Sequence, residues 1–256
     1  MKWLIYILAC ASCLGQAFTF HDIAFLDQAT NLPASGAACA TANTTNAWDE
    51  LLEGFNDVDG KENTWADVGT TANITYGADS SALTTYKPTG ACDKAWKLVV
   101  PTDGTETYSG WDRGSAIDID TLAADIYLSL YVEVKPDANE YFNLLDYNVT
   151  SGVSEKGILL RSSAAAQLNV ISAGASGSDA INISTGQWYV LKLHLATTAA
   201  ESTLTVWSNG ALIGSVDTFT RSAGIDLRYI KIGAPFQLDA NDSGTIWVDL
   251  IAIHTP

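Results

Sequence analysis

Basic residues are scarce in this 256-residue chain: 13 Lys and Arg stand against 29 Asp and Glu, a formal net charge of −16. Such a surface repels phosphate backbones and anionic lipids, which argues against nucleic acid as a partner and leaves neutral glycans, divalent cations and other proteins. Histidine is rarer still. His21, His194 and His254 lie too far apart in sequence to argue for a zinc site or a catalytic triad. There is no Gly-rich phosphate loop. After the first 17 residues no uncharged apolar run approaches the roughly 20 residues that a membrane-spanning helix needs. Helical periodicity is nearly absent as well.

The one long apolar run stands at the start. Met1 and Lys2 precede the stretch from Trp3 to Leu14, and small residues follow at Gly15 and Ala17. This is the layout of a cleaved leader, so residues 1–17 are expected to be a signal peptide and the mature protein to be secreted. A lipoprotein fits poorly: Cys10 leaves too short an apolar core, and Cys13 lacks an aliphatic residue three positions earlier. Losing the leader removes Cys10 and Cys13 and leaves Cys39 and Cys92, for which a disulfide is expected in an oxidising compartment. Unstrained, it is worth on the order of 4 kcal/mol of chain entropy. Five Asn-x-Ser/Thr sequons, at Asn43, Asn73, Asn148, Asn182 and Asn241, would accept glycans in a eukaryotic host.

What the chain does have is alternation. Period-2 runs bounded by Gly, Asn, Asp and Pro cover Asp125 to Val134, Glu140 to Tyr147, Gly157 to Arg161, Gln167 to Ser172 and Gln187 to Ala196. They continue over Thr203 to Ser208, Ala211 to Val216, Leu227 to Ile232 and Thr245 to Ile253. Trp96 to Val100 adds a short strand, Leu51 to Phe55 is a candidate first one, and Phe18 to Leu26 reads as an edge strand or arm. Strands this short and this many predict an all-β sandwich. Asn209-Gly210 supplies the positive φ angles of a type I′ turn, so the strands either side of it should form a hairpin. No linker or repeat interrupts the chain. The expected organisation is an arm over residues 18–47 and one sandwich over 48–256.

Period 2 also assigns faces. Ile126, Leu128, Leu130, Val132 and Val134 point to one side, and Tyr127, Ser129, Tyr131 and Glu133 to the other. Likewise Tyr189, Leu191, Leu193 and Leu195 oppose Trp188, Val190, Lys192 and His194. The aliphatic sides are the expected core.

Three segments, Gly186-Gln187-Trp188-Tyr189-Val190-Leu191-Lys192-Leu193, the hairpin from Leu204 to Gly214 and the closing strand from Ile246 to Ile253, resemble the concanavalin A-like lectin/glucanase jelly roll, and within it the laminin-G-like branch. The resemblance covers the chain from about Tyr127 to the C-terminus and extends back to Trp48. It implies a two-sheet antiparallel jelly-roll sandwich of curved sheets, with sugar or protein ligands on the concave face or on loops at one rim. The Glu-x-Asp-x-Glu strand of the superfamily's hydrolases is missing; Asp118-Ile119-Asp120 lacks both glutamates and reads as a turn. Its alginate-lyase relatives are matched only at scattered single residues.

Sugar recognition uses flat apolar surfaces together with polar side chains. Tyr127, Tyr131, Trp188, Trp207 and Trp247, with Lys192 and His194 among them, are the expected ligand face unless a loop covers them. Calcium is the one candidate cofactor. Asp239, Asn241 and Ser243 alternate before Gly244 in the pattern of an oxygen-ligand loop, and Asn56 to Gly60 is a weaker version; polar turn residues are the plainer reading of both. Asp249 lies mid-strand, on the face that period 2 shares with Trp247, Ile251 and Ile253, where a lone carboxylate is costly. The resemblance implies that such an aspartate pairs with an acidic residue of the first strand around a structural calcium, and Glu53 is the candidate. The function expected first is a secreted, non-catalytic, carbohydrate-binding module. A surface or matrix protein that self-associates through its N-terminal arm comes second, and a polysaccharide lyase or glycoside hydrolase third.

Overall fold

The computed structural model describes residues 51–53, 66–69, 74–80, 82–83, 94–100, 107–112, 119–121, 124–138, 141–149, 153–163, 165, 167–172, 180–195, 203–217, 225–227, 230–238 and 244–254. The strands among them are numbered in chain order. One sheet of eight runs β14 (Ala211–Asp217), β13 (Thr203–Ser208), β12 (Trp188–Leu195), β7 (Ala124–Val134), β17 (Gly244–His254), β4 (Lys94–Val100), β3 (Ile74–Asp79). The eighth, β1 (Leu51–Glu53), pairs with the C-terminal end of β17. The second sheet runs β11 (Ala180–Asn182), β10 (Leu168–Ser172), β9 (Val153–Ser162), β8 (Tyr141–Val149), β16 (Ile230–Leu238), β5 (Thr107–Asp112), β2 (Ala66–Gly69). A small ladder joins β15 (Ile225–Leu227) to β6 (Ile119–Thr121). The chain is an all-β sandwich of antiparallel sheets. No described helix is long and apolar enough to cross a membrane.

The core follows from the alternation. Ile126, Leu128 and Leu130 of β7 meet Leu193, Leu191 and Tyr189 of β12 in register, and the second sheet contributes Leu145, Ile158, Leu160, Val170 and Ile232 to the same cluster. These side chains are almost wholly buried, each worth about 1.5–3 kcal/mol of transfer free energy. The β13–β14 hairpin turns at Asn209 (φ 51°) and Gly210 (φ 72°), both left-handed as the Asn-Gly pair predicts.

Three expectations need correction. Ile119, read as part of a turn, lies in β6 and pairs with Leu227. The run Leu227 to Ile232 is divided, since β15 ends at Leu227 and β16 starts at Ile230. In β17 a bulge between Asp249 and Ile251 resets the alternation. Asp249 therefore shares its face with Trp247, whereas Ile251 and Ile253 turn into the main core. Phe18 to Leu26, Asn56 to Gly60, Cys39, Cys92, Asn43, Asn73, Asp239, Asn241 and Ser243 lie outside the described residues.

The central strands of the eight-stranded sheet are covered on both faces. Every residue of β7 from Ala124 to Val132 is buried, and in β12 only His194 is not. The sandwich thus has a second buried layer, on the side away from the second sheet.

Candidate functional site

That second layer holds the residues singled out for ligand binding. The registers set Trp188, Tyr131, Trp247 and Lys97 side by side on β12, β7, β17 and β4, with Trp207, Val190, Ser129 and Asp249 in the next row. Lys192 and Tyr127 follow, then His194 and Asp125. So Tyr127, Tyr131, Trp188, Lys192, His194 and Trp207 do occupy one face of one sheet. The rings are covered, however: Tyr127, Tyr131, Trp188, Trp207 and Trp247 are all buried. Part of the cover is the turn at Leu83, whose carbonyl accepts the Tyr131 hydroxyl at 3.1 Å and whose side chain packs on the Tyr131, Trp188 and Trp247 cluster. Trp188 Nε1, Trp207 Nε1 and Ser129 Oγ are buried without a hydrogen-bond partner among the described residues, each at a cost of about 1–3 kcal/mol.

Polar groups in this layer are arranged around two carboxylates. Asp125, almost fully buried, accepts His194 Nδ1–H on Oδ1 at 2.6 Å and the Lys192 ammonium on Oδ2 at 3.1 Å. The same ammonium lies 5.6 Å from the Tyr127 ring centre. Glu133, at the other end of β7, accepts Trp247 Nε1–H at 2.7 Å and pairs with Lys97 at 3.2 Å. The indole hydrogen bond, with the Lys97 charge behind it, outweighs partial burial and holds the Glu133 carboxyl below the usual glutamate range. Burial first, and the Glu133 charge second, push the Tyr131 phenol above its ordinary value, so its proton stays on the bond to Leu83. Glu53 stands opposite Ile251 on β17, on the far side of the bulge from Asp249 in the ladder.

A more accessible site lies at the rim, where β7, β10, β11, β12 and β14 end or bend. It is an open cleft of about 780 Å³. Three amide side chains line it: Gln167, Asn182 and Gln187. Ser184 and Thr185 add hydroxyls, Glu133 and Lys135 add charges, and Val134 and Ile213 add apolar surface that is about half exposed, unusual for aliphatics among the described residues. Its walls are held by internal bonds. The Ser184 N–H donates to the Tyr189 hydroxyl at 2.7 Å, the Gln187 amide donates to the same oxygen, and Asn169 Nδ2 donates to Asn182 Oδ1. Gly186, at φ 83°, donates its N–H to the Val132 carbonyl at 3.0 Å, which ties the 184–187 turn to β7; a side chain there is strained whatever the space. Sequence reasoning singled out none of these residues as ligand contacts. They come from five segments without a shared period, and only Asn182 carries a local signal, its sequon.

No protein-family model and no curated protein matches the chain. Among solved structures, the chain is similar to "Cellulose induced protein, Cip1", at 16% identity and a TM-score of 0.50, over 81% of this chain and 98% of that one. A carbohydrate esterase from Shiga toxin-encoding bacteriophage phi24B gives 14% identity and a TM-score of 0.49 over 79% and 95%. Domain 4 of AbnA, a GH43 extracellular arabinanase from Geobacillus stearothermophilus solved with arabinotriose, gives 15% and 0.42 over 80% and 90%. At such identities the first of these likenesses shows the β-sandwich fold and no more.

Proposed function

We propose that the chain is a secreted, lectin-like module of the concanavalin A-like, laminin-G-like kind, which binds carbohydrate without turning it over. The observation that carries this reading is the rim cleft. A sugar offers hydroxyls that both donate and accept, on a ring whose C–H faces are apolar; amides and hydroxyls beside exposed aliphatics match both properties. Its volume of about 780 Å³ is that of a small-molecule pocket and suits a short oligosaccharide. Two charged side chains line the cleft, Lys135 and Glu133, the latter engaged by Lys97 and Trp247, and the molecule as a whole is strongly acidic. A neutral glycan therefore fits better than a polyanion. In this reading the buried rings of the second layer hold the rim in place, residues 18–47 are an arm, and 48–256 are the module. Calcium belongs to the proposal as a structural ion in the Asp239 to Gly244 loop.

Affinity electrophoresis of the full chain in cellulose derivatives, xylan, β-1,3-glucan, mannan and arabinan, with alginate as the acidic control, tests it. Each gel is run with calcium and with a chelator. Retardation in at least one neutral polysaccharide is expected, and the double variant Asn182→Ala/Gln187→Ala should weaken it about tenfold or more, the worth of one to two hydrogen bonds. Loss of binding with the chelator makes calcium part of the site's support. No retardation in any gel sinks the carbohydrate reading. Release of reducing ends or unsaturated products replaces it with an enzyme.

A further inference from the structure

We propose that the ligand of the rim cleft carries an acetamido group, so that the glycan bound there is built from N-acetylated hexosamine; the inference rests on the carbohydrate reading and names the sugar class for the same site. Its ground is which hydrogen-bonding positions the cleft walls leave open. The segment from Asn182 to Gln187 folds around the Tyr189 hydroxyl, which accepts the Ser184 N–H at 2.7 Å and the Gln187 amide, and donates to the Ser184 carbonyl at 3.3 Å. That use of Gln187 occupies Nε2 and leaves its carbonyl Oε1 as an acceptor. On Asn182 the opposite end is taken: Oδ1 accepts the Asn169 amide, which leaves the Nδ2 hydrogens as donors. Neither side chain has a further bond among the described residues. The cleft therefore offers an amide donor and a carbonyl acceptor, and an acetamido group presents the complement of both, a carbonyl and an N–H.

The apolar surface of the cleft agrees. Among the described residues Tyr189 is the one aromatic side chain that lines it, and it is 1% exposed with its hydroxyl engaged, so a pyranose ring finds no face there to stack on. What is open is aliphatic: Val134 and Ile213 are 50% and 46% exposed. Side chains of this kind cover a methyl group, which gains by leaving water and needs no flat partner. Glucose and xylose units carry a hydroxyl at C2 and no methyl group. An N-acetylated hexosamine brings a carbonyl, an N–H and a methyl together in one planar substituent. The Ser184 and Thr185 hydroxyls remain for the ring hydroxyls. The substituent is also neutral, which the acidity of the whole molecule favours.

Tri-N-acetylchitotriose and cellotriose share one backbone and differ at C2, acetamido in the first and hydroxyl in the second. Each is titrated by calorimetry into the full chain made in a bacterium, with mass spectrometry to check that Asn182 carries no glycan. The acetylated sugar is expected to bind at least tenfold more tightly. Asn182→Asp keeps an oxygen for Asn169 but replaces the donor with an acceptor, and should remove that preference. Ile213→Ser, at an exposed position, should weaken the acetylated sugar about fourfold, the worth of one buried CH₂ group, and leave cellotriose unchanged. Circular dichroism checks that each variant folds, and Ile213→Ser decides the matter if Asn182→Asp does not fold. Cellotriose bound as tightly as the acetylated sugar, or a preference that survives Asn182→Asp, overturns the inference; where Asn182→Ala/Gln187→Ala still weakens the binding, the carbohydrate reading stands without it. Binding of neither sugar by a chain that a neutral polysaccharide gel retards overturns it as well. Failure with both sugars and in every gel takes the carbohydrate reading down too.

Discussion

Glu133 illustrates how a single side chain can link two regions. It lines the rim cleft and also accepts the Trp247 indole and the Lys97 ammonium, while that ammonium lies 4.7 Å from the Trp247 ring centre. Because its carboxyl is held below the ordinary glutamate value, the unfolded chain takes up this proton first as the pH falls. The contribution is therefore complete above the ordinary value of about 4.3 and is lost as the pH drops through the folded-state value. With 39% of the side chain exposed, solvent screening keeps it below about 1 kcal/mol. Urea unfolding between about pH 5 and pH 3 should show that Glu133→Gln, which keeps an acceptor for the indole, loses less stability on acidification than the parent chain. Identical acid limbs in the two proteins would remove Glu133 from this account.

Among the elements, the turn at residues 80–83 has a role its length does not suggest. Its own hydrogen bond, Leu83 N–H to the Ser80 carbonyl at 3.1 Å, makes the turn, and the Tyr131 hydroxyl fastens it to a strand 48 residues away. Tyr131→Phe keeps the ring against Trp188, 5.5 Å between centres and tilted by 54°, and removes that one bond. A loss of about 1 kcal/mol is expected. Hydrogen exchange locates it: the Leu83 amide should exchange faster while the amides of β7 and β12 keep their protection. Unchanged exchange at Leu83 would show that packing alone holds the turn. The same layer marks the limit of reading faces from alternation. Period 2 separates Ile126, Leu128 and Leu130 from Tyr127, Ser129 and Tyr131, and the core of β7 and β12 was legible for that reason. It cannot say what lies over the second face, and it fails at the bulge in β17, where one extra residue turns Ile251 away from Asp249's side. Strands such as β6, β11 and β15, three residues long, carry too few positions for any period to appear.

At the scale of the molecule, the rim cleft depends on long-range assembly, which is why sequence alone did not reveal it: Gln167, Asn182 and Gln187 meet only once β10, β11 and β12 are in place. The same assembly gives one sequon a consequence. Asn182 is exposed, lines the cleft, and begins Asn182-Ile183-Ser184, so an oligosaccharide added to its Nδ2 in a eukaryotic host would stand in the cleft mouth. Protein made in such a host should bind the retained polysaccharide at least tenfold more weakly than protein made in a bacterium, about 1.4 kcal/mol. Ser184→Ala removes the sequon but leaves the Asn182 amide and the Ser184 backbone bond to Tyr189, so the variant should bind equally well from either host. Peptide mass spectrometry establishes whether Asn182 carries a glycan. Full occupancy there with undiminished binding would mean that the polysaccharide is held elsewhere, and the second face of the eight-stranded sheet would again be the place to look.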